Sequence, residues 1–128
     1  MGIEKLQTLN VNKRSTQLEL FRRLERGKAF IHENVKNRLN LDETARQACL
    51  SKYYFIRLFK QLYGMSPYQY YIGLKIHTAC DLLERGDKSI TDISIYLGFS
   101  DVSSFSNTFK KIKGVSPSNY TKDTLLCA

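Results

Sequence analysis

The sequence predicts an all-α chain of about seven helices, arranged as two small helical subdomains joined by a long linker helix. Three observations predict it. The stretch from Asn40 to Tyr70 recurs from Ser89 to Tyr120: Ser51, Phe55, Phe59, Lys60, Gly64, Ser66, Pro67 and Tyr70 are answered by Ser100, Phe105, Phe109, Lys110, Gly114, Ser116, Pro117 and Tyr120. Apolar residues within both copies fall at helical spacing, and residues that start and stop helices bracket each run. Two copies are too few for a solenoid, so the repeat reads as a duplicated module. Its offset is 49 at the first serines and 50 from the phenylalanines onward, which places one inserted residue near the start of a helix.

Before the repeat, Met1 to about residue 16 is polar with scattered apolar residues and reads as a tail or linker remnant. From Gln17 to Leu39 the apolar positions Leu20, Phe21 and Leu24, then Ile31, Val35 and Leu39, predict one long helix or two abutting at Gly27.

Asn40-Leu41-Asp42-Glu43 opens the first copy with a capping residue and an acid three positions on, and Ser89-Ile90-Thr91-Asp92 opens the second likewise. Short helices over 41–48 and 90–97 are expected, each with a small residue, Ala45 or Ser94, where a second helix can cross closely. Turns follow at Cys49-Leu50 and Gly98-Phe99, and Ser51 and Ser100 stand where they can cap the next helix. Gly64 and Gly114 end those helices. Phe55, Leu58, Phe59 and Leu62 form an inward stripe, matched by Phe105, Phe109 and Ile112. The free outer faces carry Lys52, Tyr53, Ile56, Arg57 and Lys60 in one copy, and Asp101, Val102, Ser103, Ser106, Asn107 and Lys110 in the other.

Between the copies, Ser66-Pro67-Tyr68-Gln69 is a helix start with proline at the first helical position, and Gly86 is the natural stop. A helix of that length spans nearly 30 Å, and its wide apolar arc suits contact with both subdomains. Ser116-Pro117 starts a last helix, expected to reach about Lys122. The division expected is a tail over 1–16, subdomains over 17–65 and 87–122, the linker helix over 66–86 and a C-terminal tail over 123–128.

Composition narrows the function. In 128 residues, 20 Lys and Arg stand against 12 Asp and Glu, a net charge of +8 that favours a polyanionic partner. Cys49, Cys80 and Cys127 are odd in number and widely spaced, which fits neither a disulfide framework nor a paired-cysteine zinc site, and they read as reduced thiols. His32 and His77 lack ligand partners at metal spacing, and no His or ligand cluster surrounds Cys49 or Cys80 to activate a thiolate. The sequence therefore predicts no enzyme, no catalytic residue, no cofactor and no metal. No apolar run approaches a membrane span and no signal-peptide pattern opens the chain, so no membrane partner and a cytoplasmic location are expected.

A short helix, a tight turn and a longer helix with a polar outer face make a helix-turn-helix, whose second helix enters the major groove of double-stranded DNA. Two such units on a stiff strut match the repeat of about 34 Å between groove faces on one side of the duplex. The DNA-contact candidates are Ser51, Lys52, Tyr53, Ile56, Arg57 and Lys60, then Ser100, Asp101, Val102, Ser103, Ser106, Asn107 and Lys110. Arg57 suits a base or a phosphate, Tyr53 and Ile56 suit thymine methyls or sugars, and Asn107 suits adenine. Lys60 and Lys110, late in their helices, suit phosphates.

The motif Gly98-Phe99-Ser100 followed by Phe105, Phe109-Lys110 and Gly114-Val115-Ser116-Pro117, with its partial copy from Leu41 to Pro67, resembles the DNA-binding domain of the AraC/XylS family of bacterial transcription regulators over about residues 17–122. The resemblance implies a monomeric seven-helix domain that reads two adjacent major-groove segments with its third and sixth helices. It also implies a transcription activator with RNA polymerase as a further partner. Most family members carry a sensing domain ahead of this one, so the chain reads as a stand-alone short regulator or the C-terminal piece of a longer one. The polar first 15 residues favour the second.

Two residues depart from the family pattern. Cys49 stands where the family often has glycine, so the first turn either avoids positive φ or accepts strain. Asn107 replaces a common arginine, which makes the second reader weaker or directs it to different bases. The rival reading is a helical protein-docking module, for example to RNA polymerase, with weak or no specific DNA binding. Lys52, Arg57 and Lys60 on the first outer face argue against it.

Overall fold

The computed structural model describes residues 14–121. Among these, seven helices and no strands are present: α1 (Arg14–Glu33), α2 (Leu41–Gln47), α3 (Lys52–Tyr63), α4 (Pro67–Arg85), α5 (Ile90–Tyr96), α6 (Val102–Lys113) and α7 (117–121). The all-α expectation holds. The expected tails over 1–13 and 123–128, and the end of the last helix near Lys122, lie outside the described residues. Arg14–Thr16, expected in the tail, are already helical, whereas Val35 and Leu39 lie beyond the end of α1.

Nor does α1 break at Gly27. The helix is continuous there because the missing side chain admits the Phe55 ring: a Cβ on Gly27 would stand 2.5 Å from Phe55 Cε1 and 2.9 Å from Cζ.

The described residues divide into two compact units, one comprising 14–34 with Leu39–Tyr71, the other Val35–Arg38 with 72–121. In the first unit the core includes Leu20, Leu24 and Ile31 of α1, Ala45 of α2, Ala48, and Phe55, Leu58, Phe59 and Leu62 of α3, all buried. In the second, Ile76, Ala79, Cys80, Leu82 and Leu83 of α4 pack with Ile93 of α5, Leu97, and Phe105 and Phe109 of α6, and Ile72, Phe99 and Tyr120 close the edge. Fully burying one such Leu, Ile or Phe side chain contributes about 1.5–3 kcal/mol. The inward stripe on α3 is therefore as expected. On α6 it stops at Phe109, and Ile112, expected inside, is 47% exposed.

Capping fixes most helix starts where the residue types predict. Asn40, Ser51, Ser89, Ser66 and Ser116 each accept from a backbone N–H three residues on, at 3.0, 3.3, 3.0, 3.1 and 3.2 Å. At Ser66 the box is reciprocal, since its own N–H donates to Gln69 Oε1 at 2.9 Å. The exception is Ser100. Asp101 caps α6, its Oδ1 accepting from Ser104 N at 2.7 Å, while Ser100 Oγ lies 3.3 Å from Ser104 Oγ. Capping by Asp101 restores the offset of 50 from Ser51, so the inserted residue lies in the turn itself.

The two turns have the same hydrogen bonds. Cys49 N donates to Arg46 O and Leu50 N to Ala45 O; Gly98 N donates to Ile95 O and Phe99 N to Ser94 O. Both turns need a left-handed residue, Gly98 at φ 80° and Cys49 at φ 57°. Cys49 is the single non-glycine among the described residues with positive φ, so this turn accepts strain of about 1–2 kcal/mol.

Candidate nucleic-acid interface

The buried stripe of α3 leaves its opposite face to solvent. Tyr53 is 79% exposed, and Arg57 and Lys60, four and seven positions on, are exposed with it. Lys52 and Ile56 are half-buried on the flank, and Ser51 is exposed at the cap. The first six candidates thus lie together on and before one helix. Three of them are cations and none is an acid. Lys52 Nζ lies 3.6 Å from Asp42 Oδ1 of α2 and 5.5 Å from the Tyr53 ring centroid, and the Arg57 guanidinium stands 5.2 Å from the Tyr54 ring centroid. Stacking on an aromatic ring holds a guanidinium plane while leaving its five donors for an outside acceptor.

On α6 the second set is arranged differently. Ser100, Asp101, Ser103, Asn107 and Lys110 are exposed, and Val102 and Ser106 are half-buried. The helix begins with a carboxylate already used as a cap and ends with Lys110, Lys111 and Lys113 in its last turn. Lys111 and Lys113 escaped the sequence reading, although the Lys-Lys-x-Lys run was visible. Cations there complement the carbonyl end of the helix and suit phosphates better than base edges.

Sequence reasoning also missed the side chains that hold the two turns. Arg23 of α1 donates from Nη1 to Cys49 O at 3.3 Å. Lys75 of α4, buried to 3% exposure, donates from Nζ to Leu97 O and stands 5.3 Å from the Phe99 ring centroid. Burial lowers the Lys75 pKa from its ordinary value. A lysine on an apolar helix gives no sequence signal that it points inward. What the sequence does show is register: Arg23, Leu24, Gly27 and Ile31 of α1 answer Lys75, Ile76, Ala79 and Leu83 of α4 at a constant offset of 52. Each unit therefore has its own support helix carrying a cation to the turn ahead of its long outer-faced helix.

Comparison with known proteins fits this architecture. A family model described as a helix-turn-helix domain matches residues 44–123. The MmsAB operon regulatory protein of Pseudomonas aeruginosa is 36% identical over 111 residues, covering 81% of this chain and 36% of that protein. The chain belongs to the AraC/XylS family. The melibiose operon regulatory protein of Escherichia coli is 34% identical over 93 residues, covering 73% of the chain and 31% of its own length. Among solved structures, a transcriptional regulator from Chromobacterium violaceum with an AraC-type DNA-binding domain superposes with TM-score 0.74 at 29% identity, covering 80% of this chain and 91% of that one. The DNA-binding domain of the global transcriptional factor AdpA, solved with a target DNA, gives TM-score 0.72 at 27% identity, covering 78% and 90%.

These AraC-type relatives are transcription regulators with helix-turn-helix DNA-binding domains, not enzymes, and the AdpA domain among them was solved in complex with a target DNA. The chain spans about a third of the length of the curated relatives it matches. No helix among the described residues is long and apolar enough to cross a membrane, and no cluster of metal-ligating side chains is found among them.

Proposed function

We propose that the chain is a sequence-specific, double-stranded-DNA-binding transcription regulator of the activating kind, which reads two adjacent major-groove segments with α3 and α6. The observation that carries this reading is the outer face of α3: three cations, an exposed tyrosine and no acid, on a helix fixed from behind by four buried side chains. The complex of the similar AdpA domain with its DNA supports it. Activation, RNA polymerase as a second partner, a sensing domain elsewhere in a longer protein and action in the cytoplasm follow from the family resemblance.

The thirteen candidate residues divide by role. Tyr53, Ile56 and Arg57 reach base edges from α3 and Asn107 reaches them from α6, with Val102, Ser103 and Ser106 beside it. Ser51, Lys52, Lys60, Ser100 and Lys110 flank the groove at phosphates, and Asp101 orients the start of α6. Selection from random duplex pools tests the reading. The expected product is a two-part motif, with log K falling against log salt by about 0.9 per phosphate contacted. Equal affinity for every duplex, or a salt slope near zero, would leave only the docking role.

A further inference from the structure

Two lysines converge on one exposed tyrosine in the second unit. Tyr96, in the last turn of α5, is 39% exposed. Lys36 Nζ stands 4.1 Å from its ring centroid and Lys88 Nζ 5.0 Å. The phenol is held below its ordinary pKa by a hydrogen bond from Lys36, then by the charges of Lys36, Lys88 and Arg85. Among the described residues, none of Lys36, Arg85 and Lys88 has a carboxylate within ion-pair distance, although Asp87 and Asp92 are near in sequence. Like charges gathered without a counter-charge repel one another, and an anion that lies between them removes that cost.

We propose that Lys36, Lys88 and Tyr96 form a phosphate clamp for the DNA backbone, outside both reading helices. This deepens the DNA-binding reading and rests on it. The observations favour DNA over other polyanions for two reasons. Tyr96 is followed directly by the Leu97–Phe99 turn that leads into α6, so the cluster flanks the element that enters the groove. The first helix of a helix-turn-helix crosses the backbone, where ammonium groups and a phenol hydroxyl are all donors to phosphate oxygen. Lys36 lies between α1 and α2, so its contribution to this site is invisible from the helix-turn-helix motif alone.

The test compares the unchanged chain with Lys36→Gln/Lys88→Gln and with Arg22→Gln/Arg26→Gln, an equal charge change at exposed positions of α1. Specific binding to the selected duplex is measured from about 50 to 200 mM salt. Losing two phosphate contacts should flatten the slope by about 2, so that the clamp variant loses roughly tenfold less affinity over that range. Its base preference should stay the same and the control should keep the original slope.

Methylphosphonate placed at one phosphate at a time should identify a position outside the reading segments that weakens the unchanged chain and not the clamp variant. A clamp variant with the original slope overturns the proposal, as does an equal change in the control. Reduced transcription with an unchanged slope would assign the cluster to a protein partner and overturn it too. If the unchanged chain shows no specific DNA binding, the broader reading fails as well.

Discussion

The Tyr120 hydroxyl donates to Glu84 Oε2 at 2.7 Å. In the first unit the matching tyrosine, Tyr70, shares a hydrogen bond with Nε2 of His32, which answers Glu84 at the offset of 52. Each unit thus closes by tying the tyrosine of its Ser-Pro helix start to the end of its support helix. Tyr70 packs on Phe59 with ring centroids 5.7 Å apart, and Tyr120 on Phe109 at 5.4 Å.

That closure predicts an alkaline weakness. The hydrogen bond to Glu84, then burial, raises the Tyr120 pKa, and burial, then the hydrogen bond to Glu25, raises that of Tyr63. A phenol whose folded pKa is raised contributes stability that is intact below the unfolded value of about 10 and lost as pH climbs above it, because the unfolded chain ionises first. Ultraviolet titration should show these two tyrosines ionising only as the helical circular dichroism collapses. Tyr120→Phe should lower stability by about 1 kcal/mol at neutral pH. Free titration of all tyrosines in a chain that stays helical would refute this account.

Two glycines on the support helices should respond in opposite directions to alanine. Gly27→Ala drives a methyl into the Phe55 ring and should destabilise by about 1–3 kcal/mol. Gly73→Ala meets nothing within 4 Å on an exposed face of α4 and should stabilise by about 0.5–1 kcal/mol through propensity alone. Urea midpoints of the two variants decide it.

The turns offer a sharper pair. Cys49→Gly relieves a left-handed cysteine and should stabilise by about 1 kcal/mol, since the thiol is exposed. Gly98→Ala combines positive φ with a Cβ driven onto the carbonyl oxygen of Lys36, and should destabilise the second unit severely. Equal and small effects at both positions would mean the turns adjust at little cost.

Much of this fold was legible because it is written in local chemistry: serine and asparagine caps, Ser-Pro starts and phenylalanines one helical turn apart. What was not legible depends on tertiary choice. Ser100 and Asp101 are both competent caps, and the extra residue in the turn decides between them. Ile112 continues an apolar spacing, yet the buried part of α6 stops at Phe109. The kinship of α1 with α4 was hidden because α1 begins without the Ser-Pro signature and shares mainly apolar spacing with its counterpart. For the candidate site, the outer face of α3 could be read by subtraction from its stripe, whereas Lys75 and the Tyr96 cluster bring together residues distant in sequence.

Lys75 should leave its own mark on pH dependence. A lysine whose folded pKa is lowered disfavours the folded state while both states are protonated, and that penalty fades as pH rises from the folded pKa toward about 10.4. Stability should therefore rise with pH over that window, just below the range where the tyrosines reverse it. Lys75→Met should abolish the rise. It should also weaken DNA binding through α6, because it removes the donor to Leu97 O. Denaturant midpoints across the window, with and without the substitution, give the answer, and an identical profile in both chains would place the cause elsewhere.

The two reading helices should contribute unequally. Arg57 presents a guanidinium supported on Tyr54 in the middle of a face with Lys52, Tyr53 and Lys60, while Asn107 stands on a helix whose first exposed carboxylate, Asp101, faces any approaching phosphate with like charge. A bidentate arginine on guanine is worth about 1–3 kcal/mol of discrimination, and an asparagine on adenine can match that only where the backbone lets it approach as closely. Arg57→Ala should cost about tenfold or more in specific affinity and relax preference at one base pair, with Asn107→Ala costing less. Binding to the selected duplex and to single-base variants of it measures both. Should Asn107→Ala prove equal or worse, the second unit is the dominant reader, and the charge of the α3 face serves affinity for any duplex rather than choice among them.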